Sequence, residues 1–500
     1  MSANAPFRPS DAFAELFVAP LGGTKKERDG AVGAPFCDPV EPAPFPQSIV
    51  RFRNDRWAAR IGLDDLDDAG WIARFARFEP FEGSLPQPLA LRYHGHQFRS
   101  YNPDIGDGRG FLYAQCYDAA GRLLDLGTKG SGRTPYSRFG DGRLTLKGGV
   151  REALATETLE ALGVYTSKTL SLIETGEALD RQDEPSPTRS CVMVRLGHSH
   201  VRFGAFQRLA AEEDGDAIAA LVDYAVRHFY PDLADLDLGP RAAAFFERVA
   251  WRTARLVSQW MAAGFVHGVL NTDNMNVTGE SFDYGPWRFL PTLDPGFTAA
   301  YFDHTGLYAY ARQAEAAAWN LSRLGGALTD LASEDALNAA LQQFGAVYER
   351  EMTVAFYRRL GLAPSGDTPY SVIGDLLVWM QESQVPFEQV FFDWFCGAAS
   401  ADRRARSPLA AQYERDTFAP IARALSGFDP VRPERLAHPY FAREAPHTML
   451  IDAVEASWAP IADADEWGPF DAAVAAAREA GAAYAFDASR FDAAPPSAAT

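Results

Sequence analysis

Five hundred residues carry 47 Lys+Arg against 66 Asp+Glu, a formal net charge of −19, with 47% hydrophobic and 23% charged residues. That composition builds roughly two to four domains or one large two-lobed unit. It excludes a chain whose whole surface binds nucleic acid, which needs a basic footprint, but leaves the sign of charge inside a cleft open. Cys37, Cys116, Cys191 and Cys396 lie far apart with no CxxC pair, against both a secreted disulfide framework and a Cys-rich metal site. Residues 1–26 lack a basic segment followed by an apolar run, so no signal peptide is expected. The uncharged stretch 256–272 includes Ser258, Gln259, His267 and Asn271 and falls short of the ~20 apolar residues a bilayer requires. A cytoplasmic enzyme is the expected class.

Along the chain, residues 1–45 are rich in Pro, Gly and Ala and read as an irregular arm. Mixed charged and apolar residues between Ile49 and Asp68 predict one or two Arg-rich helices. Residues 111–129 predict a β-hairpin, with Asp118-Ala119-Ala120-Gly121 as its turn. Gly106-Asp107-Gly108-Arg109-Gly110 precedes it, and a second Gly-rich loop, 130–143, follows. Residues 150–162 predict a helix whose apolar face runs through Ala155, Leu159 and Leu162. Glu152 shares that face and needs a partner, because an unpaired buried charge is costly. After Gln207 the chain turns helical and Ala-rich, with helices predicted over 210–228, 241–263, 307–325, 332–361 and 370–387. The last stretch, about 35 residues, predicts a surface helix and a frayed tail. The whole reads as an α+β, two-lobed arrangement. Its parts are a strand-rich lobe over 46–205, a helical lobe over 206–430, and a helical extension and tail over 431–500.

Four features occur in a fixed order: the glycine turn at 106–110, Lys129 on the return strand, Glu152 on the next helix, and a polar cluster from His267 to Asp283. Singly, these are a turn, a surface lysine, a helix N-terminal acid and a loop. Together they follow the order of a protein kinase. There, glycine admits phosphate to backbone amides, a helix Glu holds a strand Lys, and Asn and Asp offer hard oxygens to Mg²⁺. In the kinase catalytic loop, H-R-D-L-x-x-x-N, His and Asn stand seven apart, as His267 and Asn274 do here, with Leu270 in register. The catalytic-Asp position, however, holds Val269, leaving Asp273 as the only carboxylate in the loop able to substitute.

Arg195 and Arg202 also stand seven apart, a spacing that puts them on opposite faces of a straight strand. A break at Gly197 would let them converge as a phosphate clamp; otherwise they are two surface arginines. His94-Gly95-His96 and His198-Ser199-His200, with no Cys nearby and no HExxH, read as packing or hydrogen-bonding histidines.

These motifs together resemble the selenoprotein O (YdiU) family of kinase-fold protein adenylyltransferases. The resemblance is carried by Tyr93-His94-Gly95-His96-Gln97-Phe98, Gly106-Asp107-Gly108-Arg109, the run from Lys129 through Arg143, Val150-Arg151-Glu152, His200-Val201-Arg202-Phe203-Gly204, and Gly268 through Met275 followed by Asp283-Tyr284-Gly285-Pro286. It implies a kinase-like fold with ATP inverted, so that AMP from ATP, or UMP from UTP, passes to Ser, Thr or Tyr hydroxyls of proteins.

Carried over residue by residue, Lys129 would bind phosphate and pair with Glu152. Gly106, Gly108, Arg109, Asp141 and Gly142 would line the nucleotide site. Arg195 and Arg202 would hold phosphates, Asn274 and Asp283 the metal (Mg²⁺ or Mn²⁺), with Asp283 also at the nucleotide, and Asp273 would be the catalytic base. The expected partners are ATP and protein substrates, with no nucleic acid and no membrane. Two rivals remain: an ATP-dependent phosphotransferase, disfavoured by Val269, and a silent nucleotide-binding pseudokinase, disfavoured by the retention of Lys129, Glu152, Asn274 and Asp283. Many members carry selenocysteine or cysteine near the C-terminus, whereas no cysteine follows Cys396 here, and the chain beyond about residue 430 follows the family only loosely.

Overall fold

A computed structural model describes residues 6–18, 35–182, 184–363 and 371–486. Its first half is organised around a nine-stranded antiparallel sheet: β1 (Arg8–Ser10), β2 (Cys37–Pro39), β3 (Ile49–Arg53), β4 (Leu89–Leu91), β5 (Leu112–Tyr117), β6 (Leu123–Lys129), β7 (Leu144–Thr145), β8 (Lys168–Leu179) and β9 (Thr188–Gly197). The strand order is β2-β4-β5-β6-β9-β8-β3, with β1 paired to β5 and β7 to β9. The predicted hairpin is β5–β6, its turn closed by Asp118 Oδ1, which accepts from the amides of Ala120 and Arg122 at 2.9 Å each.

Alternation along β9 sorts its side chains between two cores. Val192, Val194 and Leu196 pack with Trp71 and Phe75 on one face. Cys191 and Met193 pack on the other, against Val150 and Leu154 of helix α1 (Leu146–Ala161). Arg195 therefore lies on the α1 face. On β6, Leu124 and Leu126 join the first core, which turns Lys129 to the α1 face as well. The β6–β9 register sets Lys129 opposite Met193 and Gly127 opposite Arg195. Two cations are thus aimed at one face of α1.

Beyond residue 203 helices dominate, led by α2 (Leu238–Ala262) and α3 (Glu334–Arg359). Phe246, Val249 and Val257 of α2 and Phe344, Met352 and Phe356 of α3 share the larger core. The α+β reading holds. Among the described residues no helix is long and apolar enough to cross a membrane.

Several local expectations change: Ile49–Arg53, inside a stretch expected to be helical, is strand β3, and the helix expected over 210–228 is two helices broken at 212–214. Within the stretch read as an irregular arm, β1 and β2 are short strands, because the sheet offers unpaired backbone to both. Helix α1 starts at Leu146, four residues before its predicted start, where Thr145 Oγ1 caps the amide of Gly148 at 3.1 Å. The C-terminal helix, α4 (Gly468–Tyr484), is packed on α1 rather than lying loose on the surface. Its Ala-rich stripe gives close approach, with Phe470, Ala477, Ala483 and Tyr484 all fully buried. The predicted frayed tail, 487–500, lies outside the described residues.

Arg478 of α4 forks onto Glu157 of α1 at 2.8 and 2.9 Å. Glu157 also accepts from Asn54 Nδ2 at 2.8 Å, so Arg478→Ala leaves it partly satisfied. The expected cost is about 1.5–3 kcal/mol, the range for hydrogen bonds to charged groups, read as a lower urea midpoint.

Candidate active site

Lys129, 7% exposed, places Nζ 2.7 Å from Glu152 Oε2 and 2.7 Å from Asp283 Oδ1. Arg195 hydrogen-bonds the other Glu152 oxygen and reaches Asp283 Oδ1 at 3.3 Å. The buried acid on the apolar face of α1 has its partners. Past the end of β9 at Gly197 the chain turns, and Arg202 returns to the same point. Its Nη1 lies 3.5 Å from Asp283 Oδ2 and 2.9 Å from the Asp273 carbonyl, and its Nη2 lies 3.2 Å from Asp107 Oδ1. The rings of Tyr93 and Phe282 flank its guanidinium at 4.6 and 4.9 Å. Both arginines are 6% exposed, so they are not surface arginines.

Asp283 is thus the meeting point of three cations from separate elements. Burial would raise its carboxyl, but Lys129, then Arg195 and Arg202, outweigh that and hold it well below the usual range. Its backbone has φ +62°, a left-handed conformation that costs most residues but that Asp tolerates. His267, 1% exposed, donates from Nε2 to the Phe282 carbonyl at 3.0 Å and so anchors the residue before Asp283. The hairpin at 95–102 braces the rest of this loop. The His96 amide donates to Thr272 Oγ1 at 2.8 Å, and the Phe98 amide donates to Asn271 Oδ1 at 3.0 Å. His94 Nδ1 pairs with Tyr101 Oη at 2.6 Å and His96 Nδ1 with Gln207 Nε2 at 2.8 Å, in keeping with hydrogen-bonding histidines.

Asn274 Nδ2 donates to the Val269 carbonyl at 2.9 Å, which fixes the amide and leaves Oδ1 as an acceptor. That oxygen and the Asp283 carboxylate are hard donors of the kind a divalent cation takes. Asp273 is 9% exposed, and its Oδ1 has no hydrogen-bond partner among the described residues. Burial, opposed by Arg202, raises its carboxyl to about 6.

Above these groups lies a cleft of about 340 Å³. Gly106, Gly108, Arg109, Lys129, Asp141, Gly142, Arg195, Arg202 and Asp283, the whole set expected at the nucleotide, line it. Glu152, Asp273 and Asn274 do not: Glu152 is buried behind Lys129, and the other two belong to the loop beneath Arg202. The Asp141 carboxylate is engaged by Arg181 at 2.9 and 3.1 Å and by the Arg143 amide at 2.9 Å, so it shapes its loop. Six basic side chains and three carboxylates line the cleft, a positive excess within a chain of net charge −19.

Three contributors had no role in the sequence reading. Asp107 holds Arg202 and accepts from the Leu91 amide at 3.1 Å, Tyr93 flanks Arg202, and Tyr136 lies beneath Gly106. All three stand inside motifs that carry the resemblance, but what they touch is set by distant chain. The glycines answer to packing. A Cβ on Gly106 would stand 2.4 Å from the Tyr136 ring, and one on Gly142, at φ +74°, would stand 2.3 Å from the Gly132 carbonyl. Gly106→Ala must displace a ring whose hydroxyl is tied to Asp38. Overpacking of this kind costs about 1–3 kcal/mol, so ATP affinity is expected to fall roughly tenfold or more, measured by equilibrium binding. Gly106→Ala combined with Tyr136→Leu, which makes room, is expected to recover part of the loss.

Comparison with known proteins follows the same lines. Residues 26–478 match the family model described as protein adenylyltransferase SelO. The chain is 45% identical over 461 residues to the protein nucleotidyltransferase YdiU of Gloeobacter violaceus, covering 88% of this chain and 92% of that protein. It is 43% identical over 462 residues to that of Synechocystis sp. (88% and 95%), and 36% identical over 435 residues to that of Azotobacter vinelandii (84% and 88%). The family match runs well past residue 430, where only a loose fit was expected, and takes in most of α4.

Proposed function

The chain belongs to the SelO family of protein adenylyltransferases, and from that premise we propose that it moves AMP from ATP, or UMP from UTP, onto Ser, Thr or Tyr hydroxyls of proteins. In this reading residues 46–205 and 206–430 are the two lobes of a kinase-like fold that holds the nucleotide inverted relative to a kinase. The observation that carries it is the cationic cleft in an acidic chain, with Lys129, Arg195 and Arg202 converging at its floor on Asp283. Low-dielectric walls of one sign concentrate an anionic ligand, and the arginine forks match phosphate oxygens. Four free, buried thiols suit a cytoplasmic setting.

A Mg²⁺ or Mn²⁺ ion on Asn274 Oδ1 and Asp283 would neutralise phosphate charge and assist departure of the leaving group. Lys129, held between Glu152 and Asp283, and the two arginines would grip the β- and γ-phosphates and stabilise pyrophosphate as it leaves, exposing the α-phosphorus. Val269 offers no carboxylate to a hydroxyl approaching from the kinase direction. Asp273 does offer one: near neutral pH it is ionised, and its unpartnered Oδ1 can take the proton of the acceptor hydroxyl. Arg202 fixes its backbone through the carbonyl.

The test is the position of the label. With Mg²⁺ or Mn²⁺, ATP labelled at the α-phosphate is expected to label protein, with release of pyrophosphate, while γ-labelled ATP leaves protein unlabelled. Label from the γ-position, with ADP released, would replace this reading with phosphotransfer.

A further inference from the structure

The turn that returns Arg202 to the cleft brings a second side chain with it. On β6, Asp125, Gly127 and Lys129 share one face, since side chains alternate and Leu124 and Leu126 pack into the core on the other. Gly127 has no side chain, and the imidazole of His200 fills the place where one would be. A Cβ on Gly127 would overlap His200 Nε2 and stand 2.6 Å from its Cε1. Gly127 lies one strand repeat, about 7 Å, before Lys129, and His200 lines the same cleft as Lys129, Arg195 and Arg202.

Asp125 sets the orientation of the ring. It is 3% exposed, and its Oδ2 accepts from the His200 amide at 2.8 Å and stands 3.2 Å from His200 Nδ1. Gln115 Nε2 donates to Oδ1 at 2.7 Å, so the carboxylate is fixed at both oxygens. A carboxylate that only accepts takes the proton of Nδ1, which leaves Nε2 for another partner. Among the described residues Nε2 has none, and it is not sealed off as the unpartnered Nδ1 of His267 is. His200 is also the one ion-pair partner of Asp125 among the described residues. A buried carboxylate with no Lys or Arg beside it gains from a charged imidazole.

We propose that His200 is a further phosphate-binding group of the cleft, donating from Nε2 to an oxygen at the β,γ-diphosphate end of the nucleotide while Asp125 holds the ring in place. Phosphate oxygens only accept, so the contact is made by the imidazolium, and Asp125 supplies its counter-charge. That end of the nucleotide departs as pyrophosphate, so His200 holds the leaving group together with Lys129. This rests on the nucleotide reading of the cleft.

Calorimetry of ATP and of pyrophosphate binding to the full chain, each with Mg²⁺, provides the test, using two variants that separate the ring nitrogens. The amide nitrogen of Asn stands where Nδ1 does, and that of Gln where Nε2 does. His200→Asn keeps the Asp125 contact and loses the phosphate contact. It is expected to weaken both ligands about tenfold, the scale of one hydrogen bond to a charged group. His200→Gln keeps a donor toward the cleft and is expected to stay within about threefold of wild type. Should far-UV circular dichroism show His200→Asn to be unfolded, Gly127→Ala, whose Cβ drives the ring from its place, is expected to show the same loss. Undiminished affinity in a folded His200→Asn, or in Gly127→Ala in its stead, would overturn the proposal. So would a loss in His200→Gln as large as that in His200→Asn, since the Asp125 contact would then be the whole role of His200. Failure of the wild-type chain to bind either ligand would instead overturn the nucleotide reading of the cleft, and this proposal with it.

Discussion

Asp283→Ala is expected to abolish transfer, with a loss of about 10³-fold or more, the scale seen when a charge-stabilising group is removed from a reaction centre. Metal-dependent ATP binding is expected to go with it. The reason is the arrangement around the carboxylate. Lys129 sits 2.7 Å from Oδ1, Arg195 3.3 Å from the same oxygen, and Arg202 3.5 Å from Oδ2. Removing it leaves three buried cations short of a counter-charge and, in the proposed reading, would deprive the dication of its one anionic ligand. Loss of one partner of a buried pair costs about 3–5 kcal/mol, and the side chain's 25% exposure places this case at the lower end. Asp283→Asn separates the two effects, since it keeps the shape and tolerates φ +62° while losing the charge. Calorimetry of ATP binding with and without Mg²⁺ checks both variants. Metal-dependent binding retained by Asp283→Ala would remove Asp283 from the metal site. Lys129→Ala is expected to lower nucleotide affinity and nearly abolish transfer without removing the metal ligands.

Asp273→Asn is expected to slow transfer by about 10²–10⁴-fold, the usual loss on removing a general base, while sparing ATP binding. The pH dependence identifies the role. With a carboxyl raised from 3.8 to about 6, the wild-type rate should climb as pH rises through 6 and level off above it, and the variant should lack that limb. Stability carries the opposite sign. Because the folded state holds this proton more tightly than the unfolded chain, ionisation destabilises the fold as pH rises from about 4 to 6, and the cost persists above 6. Asp273→Asn is therefore expected to gain stability relative to wild type at pH 7 while losing activity. A variant whose nucleotide affinity falls as far as that of Asp283→Ala would show that the two carboxylates share one role.

Much of this site could be read along the chain. The order Lys129, Glu152, Asn274, Asp283 is a one-dimensional signal, and so is the absence of a carboxylate at Val269. The hairpin of β5 and β6 follows from two strand-like runs on either side of the turn Asp118-Ala119-Ala120-Gly121. Glu152 on an apolar helix face announced that a cation must meet it, because a buried charge cannot stay unpaired. Arg195 and Arg202 were legible only as alternatives: seven residues apart, they diverge or converge according to whether the strand ends at Gly197.

What the sequence by itself determined is the identity and order of the groups, and through them the family, since residue types at fixed spacings are local information. What only the tertiary structure decided is which faces meet. The pairing of Lys129 with Met193 across β6 and β9, the ring of Tyr136 filling the space under Gly106, the Asp107 carboxylate on Arg202, and α4 closing over α1 all join residues far apart in sequence. Periodicity tells which side of an element is apolar. It does not tell which other apolar side will cover it, because that choice is made by packing and backbone pairing summed over the whole chain.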